Sequence, residues 1–145
     1  MPTVPLKVPL DGWTPAAGDM PFDRLGGREA VFALVHAFYD AMESNEPALA
    51  RLHALDENGR IPAVSRERFG LFLVGWLGGP QDYTEQHGHP RLRMRHAHVG
   101  IGVAERDAWL RCMSAAMDTR GVSGGVRQFL DIRFAEVADF LRNTP

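Results

Sequence analysis

The chain is 145 residues long, 45% hydrophobic and 23% charged, with a formal net charge of −2. That length suits one domain with room for a buried core. The charge excludes a general nucleic-acid binder, which needs a strongly basic face, and no apolar run approaches the ~18 residues of a membrane span.

The lone cysteine, Cys112, excludes an intrachain disulfide. The first residues show no basic segment followed by an apolar one, so the expected location is the cytoplasm. Residues 1–22 carry five prolines: Pro2, Pro5, Pro9, Pro15 and Pro21. Proline removes backbone donors and fixes φ, which predicts an irregular N-terminal arm. Its apolar residues Val4, Leu6, Val8, Leu10 and Trp13 predict that the arm packs on the domain.

From Asp23 onward the periodicity is helical. Gly26-Gly27 predicts a turn between a short first helix and a longer second one. On the second, Val31, Leu34, Val35, Phe38 and Met42 recur at helical spacing on one face, and Pro47 marks its far end. The stretch HALDENGRIP reads as loop, with Asn58-Gly59 a turn dipeptide. The next helix opens near Pro62, with Ser65 as its cap or just inside it. Phe69, Phe72, Leu73 and Trp76 form its predicted inward face, and Gly78-Gly79-Pro80 stops it. PRLRMRH can form a short helix, and VGIG breaks it. Residues 104–120 read as a helix with Trp109, Cys112, Met113 and Ala116 on one side, ended by Gly121. The last helix turns Val126, Phe129, Leu130, Phe134, Val137 and Leu141 inward. The fold class is all-α, with five or six helices.

Four of the six histidines, His87, His89, His96 and His98, lie within twelve residues. A tetrahedral zinc site needs about four ligands on a common centre. Histidines two apart on a helix point to opposite faces, and Gly88 and Pro90 oppose a strand. A four-histidine cluster is therefore disfavoured. A single histidine among apolar residues, with Arg91, Arg93 and Arg95 nearby, has the ingredients of a haem site. An ordinary surface or core histidine fits the same pattern.

GHPRLRMRH followed by ERDAWLRCM resembles the group II truncated haemoglobins, the two-over-two globins. The matching positions are Gly88, His89, Pro90, Arg91, Leu92, Arg93, Arg95, His96, Ile101 and Gly102, then Glu105, Arg106, Asp107, Trp109, Leu110, Cys112 and Met113. AFYDAM, LFLVGWLGGP and the paired glycines add to the match. It runs from about Leu25 to Asn143 and leaves the arm outside. The implied architecture is a truncated globin-like two-over-two helical sandwich, with residues 1–22 an extension and 23–145 the globin domain.

The resemblance implies haem b (iron protoporphyrin IX) with His96 as proximal iron ligand. It makes Tyr39 and Trp109 the distal hydrogen-bond donors, with His53 nearby, acting directly or through water. Ser65 takes the distal gate position, and Phe69, Phe72, Leu73 and Val99 line the haem pocket. Arg68 is the foremost propionate partner, with Tyr83 and Arg93 behind it. His89 is a turn residue. After His96 this chain departs from the family's proline-phenylalanine pair and reads Ala97-His98-Val99.

The implied ligands are O2, CO and NO. Two donors on an anionic ligand suit tight O2 binding, and so redox, NO or peroxide chemistry rather than transport. No flavin or nicotinamide fingerprint occurs, so an external reductase would supply electrons. The alternative is a haem-based sensor or redox-responsive interaction module with the arm as contact surface. No nucleic-acid or membrane partner is expected, and a homodimer is compatible with the resemblance. A non-haem metal protein is a further class, separable by the visible spectrum.

Overall fold

The computed structural model describes residues 13–145. Eight helices follow in order: α1 (Pro21–Leu25), α2 (Arg28–Asn45), α3 (Pro47–Ala50), α4 (Ala63–Trp76), α5 (Asp82–His87), α6 (Leu92–His96), α7 (Val103–Thr119) and α8 (Gly124–Phe140). Four are long, and they form the two-over-two sandwich. α2 packs on α7 and α4, and α7 packs on α8. Among the described residues there is no strand, only an isolated antiparallel bridge between Ala16 and Asp19. The count exceeds the expected five or six because α3 and α5, of one or two turns each, lack enough periodicity to be seen in the sequence.

α2 is the central element. Val31, Leu34, Val35, Phe38 and Met42 are each no more than 1% exposed, as their spacing predicts. The preceding turn depends on glycine, since Gly26 has φ 111° and Gly27 φ 91°, angles that L side chains rarely adopt. α1 is docked on the end of α4 by the Phe22 N–H, which donates to the Leu77 carbonyl at 2.9 Å.

α4 turns a different face inward from the one its large residues predict. Leu73 is buried as expected, but its buried companions are Arg66, Gly70, Leu71 and Val74. Gly70 lies against Phe32 of α2 so closely that a Cβ would stand 2.4 Å from the ring. The aromatic side chains are only half-buried and serve as links to other helices. Phe69 meets Phe38 and Tyr39, Phe72 meets Tyr83 on α5, and Trp76 stacks on Phe134 of α8 at 5.1 Å.

α7 buries Ala108, Cys112, Met113, Ala116 and Met117, with Trp109 half-buried beside them. On α8, Val126, Leu130 and Phe134 are buried. Phe129 and Val137 pack at the core's edge, and Leu141 lies beyond the helix, half-exposed. Of the arm's apolar residues, Val4, Leu6, Val8 and Leu10 fall outside the described residues. Trp13 is buried. Its ring meets Phe129 edge-on at 5.5 Å, its indole N–H donates to Asp19 at 3.1 Å, and the Arg24 guanidinium lies over it. No helix among the described residues is long and apolar enough to cross a membrane.

Candidate functional site

His96 ends α6, a helix with no buried residue. Its ring is half-buried, and its Nδ1 lies 2.6 Å from the Leu92 carbonyl. A carbonyl can only accept, so Nδ1 carries the proton and the Nε2 lone pair is left for a metal. A hydrogen bond at the far nitrogen is how ligand histidines are oriented and made more basic. The turn that opens α6 is built from its neighbours. Arg91 has φ 47°, its N–H donates to His89 Nδ1 at 3.0 Å, and Arg95 Nε donates to the Pro90 carbonyl at 2.8 Å. His87 lies against Tyr83. His87, His89 and His98 are exposed.

A cluster of rings joins α2, α4 and α7. Phe38 is its hub, with ring centroids 5.0 Å from Tyr39, 5.4 Å from Phe69 and 5.2 Å from Trp109. Tyr39 is 6% exposed and meets the His53 ring edge-on at 5.9 Å. Burial pushes the Tyr39 phenol pKa up and outweighs the opposing Arg66 cation. The phenol therefore keeps its proton and can donate. Among the described residues no hydrogen bond engages the Tyr39 hydroxyl or the Trp109 indole N–H.

His53 Nδ1 lies 3.1 Å from the Leu49 carbonyl. Burial lowers its pKa, against hydrogen bonds to Leu49 and Ala50 and together with the nearby His96 ring. Neutral His53 with its proton on Nδ1 has Nε2 as an acceptor. His53 and His96 thus lie within electrostatic reach of each other.

The remaining expected residues are dispersed. Ser65 is half-exposed at the third position of α4, Arg68 is exposed, and Leu73 is sealed in the core. Arg93 lies over Phe140 at 4.3 Å. Val99 is half-buried in the turn after α6. A surface hollow of about 640 Å³ is lined by His89, Pro90, Arg91, Leu92, Arg93, Met94 and Phe140. None of the ring cluster's residues lines it.

Arg66 is the residue that sequence reasoning missed. It is 8% exposed, beside an outward-facing Arg68 of the same residue type. Its guanidinium pairs with Asp40 and Glu43, each at 3.0 Å, donates to the Ile61 carbonyl at 3.2 Å, and sits 5.6 Å from the Tyr39 ring centroid. Burial alone would raise the Glu43 pKa. The Ile61 N–H, Arg60 and Arg66 outweigh it, so the net shift is downward. Asp40 and Glu43 on α2, at helical spacing from His36 and Tyr39, were the available signal.

The model of the Bacterial-like globin family matches residues 20–142. The chain is similar to Group 2 truncated hemoglobin YjbI of Bacillus subtilis (strain 168), at 40% identity over 110 residues, covering 76% of this chain and 78% of the relative. Among solved structures it is similar to a cold-adapted truncated hemoglobin from Pseudoalteromonas haloplanktis, with TM-score 0.79, 34% identity, and coverage of 87% of this chain and 99% of that one. A truncated oxygen-avid haemoglobin from Bacillus subtilis gives TM-score 0.76, 36% identity, and coverage of 86% and 99%.

Proposed function

Because the chain belongs to the bacterial-like globin family as a group II truncated haemoglobin, we propose that it holds haem b through His96 and retains O2 tightly through Tyr39 and Trp109. The family implies haem and diatomic gas ligands. Haem supplies an iron centre that binds such a gas and exchanges electrons. The observation that carries the reading is the His96 Nδ1 bond to Leu92, which leaves the Nε2 lone pair as the one that can ligate. The chemistry of the donor set fits the group: one imidazole with a free lone pair, aromatic side chains at Phe69 and Phe72, and Arg68, Arg93 and Tyr83 as propionate candidates. Ser65 is assigned to ligand entry, and Leu73, from within the core, and Val99 to the apolar lining.

Tyr39 and Trp109 each present one donor to a ligand that carries negative charge. A hydrogen bond to a charged acceptor contributes about 1.5–3 kcal/mol. At ~1.4 kcal/mol per tenfold, two donors slow oxygen release by roughly 10²–10⁴. A carrier needs prompt release, so this site suits retention and reaction. The likeness to the oxygen-avid haemoglobin of Bacillus subtilis supports that direction. His53 works through water, because its Nε2 accepts rather than donates.

The reaction class is nitric oxide dioxygenation or peroxide turnover, with electrons from a separate reductase in the cytoplasm. Absorption spectra of the ferric, deoxy and oxy forms test haem binding and coordination. Nitric oxide consumption by the ferrous oxygenated protein, compared with free haem, tests the reaction; a rate no faster than free haem removes it. Deleting residues 1–20 tests the sensor alternative, which requires partner recovery to fall.

A further inference from the structure

We infer that Asn143 is a positioning residue for the iron-binding histidine, an inference that rests on the assignment of that role to His96. No residue of α6 is buried by the rest of the chain, whose contacts with it near His96 are polar. The turn that follows is held by the chain's last residues. Asn143 Nδ2 donates to the Val99 carbonyl at 2.8 Å and to the His96 carbonyl at 3.4 Å. Its Oδ1 accepts from the Ile101 N–H at 2.7 Å. The backbone N–H groups of Asn143 and Thr144 both donate to the Ile101 carbonyl, at 2.9 and 3.2 Å.

The amide orientation follows from the partners. Two carbonyls can only accept and one N–H can only donate, so a flipped amide would lose all three bonds. Thr144 then closes over Gly102, where a Cβ would stand 2.9 Å from Thr144 Oγ1.

The groups Asn143 takes belong to His96 itself and to the turn after it. The last carbonyls of a helix lack intrahelical donors; the His96 carbonyl accepts the Val99 N–H of its own turn at 3.2 Å and, from outside, the Asn143 amide. The turn Ala97-His98-Val99 has no proline ring to fix φ; two local backbone bonds close it, and Asn143 restrains it from outside. One turn earlier, Arg93 Nε donates to the Phe140 carbonyl at 3.3 Å. α6 is thus tied to the end of α8 at two points, and the nearer one carries the histidine backbone. The Nδ1 bond to Leu92 sets the ring against that backbone, so a turn that rocks would rock the ring.

The test uses the ferrous, ligand-free holoprotein. The iron–histidine stretching mode is read by resonance Raman, and haem loss by transfer to excess apomyoglobin. Asn143→Ala is expected to displace and broaden the mode and to speed haem loss on the order of tenfold, about 1.4 kcal/mol. Asn143→Asp keeps an acceptor for Ile101 but sets a carboxylate against two carbonyls, and is expected to follow the alanine variant. Arg127→Ala, which removes ion pairs to Asp118 and Asp131 at the other end of α8, should cost stability and leave the mode unchanged. A wild-type mode and haem-loss rate in both Asn143 variants, whatever their melting temperatures, overturns the inference.

His96→Gly run alongside separates the two levels. If it keeps the five-coordinate ferrous spectrum, the ligand assignment fails and takes the inference with it. If it loses that spectrum while the Asn143 variants match wild type, only the clamp fails. Should both Asn143 variants fail to fold, amide exchange in the wild-type holoprotein decides. Strong protection of the Ile101 N–H supports the clamp, and exchange as fast as at exposed Gly100 overturns it.

Discussion

Tyr39 on α2 is wedged among Phe38, Phe69 and His53 in the core, whereas His96 sits on a helix with no buried residue and is held by hydrogen bonds. The two depend on different physics. A packed ring has many weak contacts, each worth ~0.1–0.2 kcal/mol, and losing one moves it little. A hydrogen-bonded turn has few contacts, each directional, and losing one frees a whole residue. The proposed distal donor Tyr39 is therefore placed by volume, and the proposed ligand His96 by polar backbone chemistry.

The sharpest way to break this contrast is His96→Gly. We expect loss of the five-coordinate ferrous spectrum and its recovery with added imidazole; an unchanged spectrum would mean that the ligand is another residue. Next comes Arg66→Met, which removes the buried cation beside Tyr39. Breaking a buried pair costs about 3–5 kcal/mol. The low end applies here, because Glu43 keeps Arg60 and the Ile61 N–H. Urea unfolding measures it, and a midpoint equal to wild type would show that Arg66 contributes nothing.

Tyr39→Phe keeps the ring's packing and deletes the donor. Oxygen release should quicken by roughly 10- to 100-fold, as for one hydrogen bond to a charged acceptor. Trp109→Phe should act in the same direction, and stopped-flow rates unchanged in both would remove the two from ligand retention. Gly70→Ala tests the packing wall without touching a polar group. Its methyl must displace the Phe32 ring, at a cost of about 1–3 kcal/mol, read as a lower urea midpoint.

The smallest expected effect is at acid pH. The Glu43 pKa is lowered below its ordinary 4.5 in the folded protein. Its contribution to stability is therefore complete above the unfolded-state value. It is lost as pH falls through the folded one. Glu43→Gln should flatten the acid limb of the stability profile below about pH 4.5; an acid limb of undiminished slope would place that dependence on other carboxylates.

α2 was fully legible, since its five inward residues keep one period over an uninterrupted helix. α7 was legible for the same reason, within a residue at each end. α4 was not, because its most hydrophobic residues are aromatic and large. A hydrophobicity count turns them all inward, whereas the structure uses Phe69, Phe72 and Trp76 as half-buried links to three different partners. The buried face went to Gly70, whose missing side chain admits Phe32, and to Arg66, whose charge is matched from α2. Neither fact is local to α4.

The sequence by itself determined the helical class, the breaks at Gly26-Gly27 and Gly78-Gly79-Pro80, and the family motif around His96. These depend on neighbours a few residues apart, where periodicity and backbone restriction act. Only the tertiary structure decided which of Arg66 and Arg68, two residues apart, is buried, and which nitrogen of His53 and His96 carries the proton. It also decided that the chain's last residues grip the turn after α6. Those outcomes depend on groups tens of residues away, Asn143 lying 47 positions from His96, and long-range polar complementarity leaves no period to read.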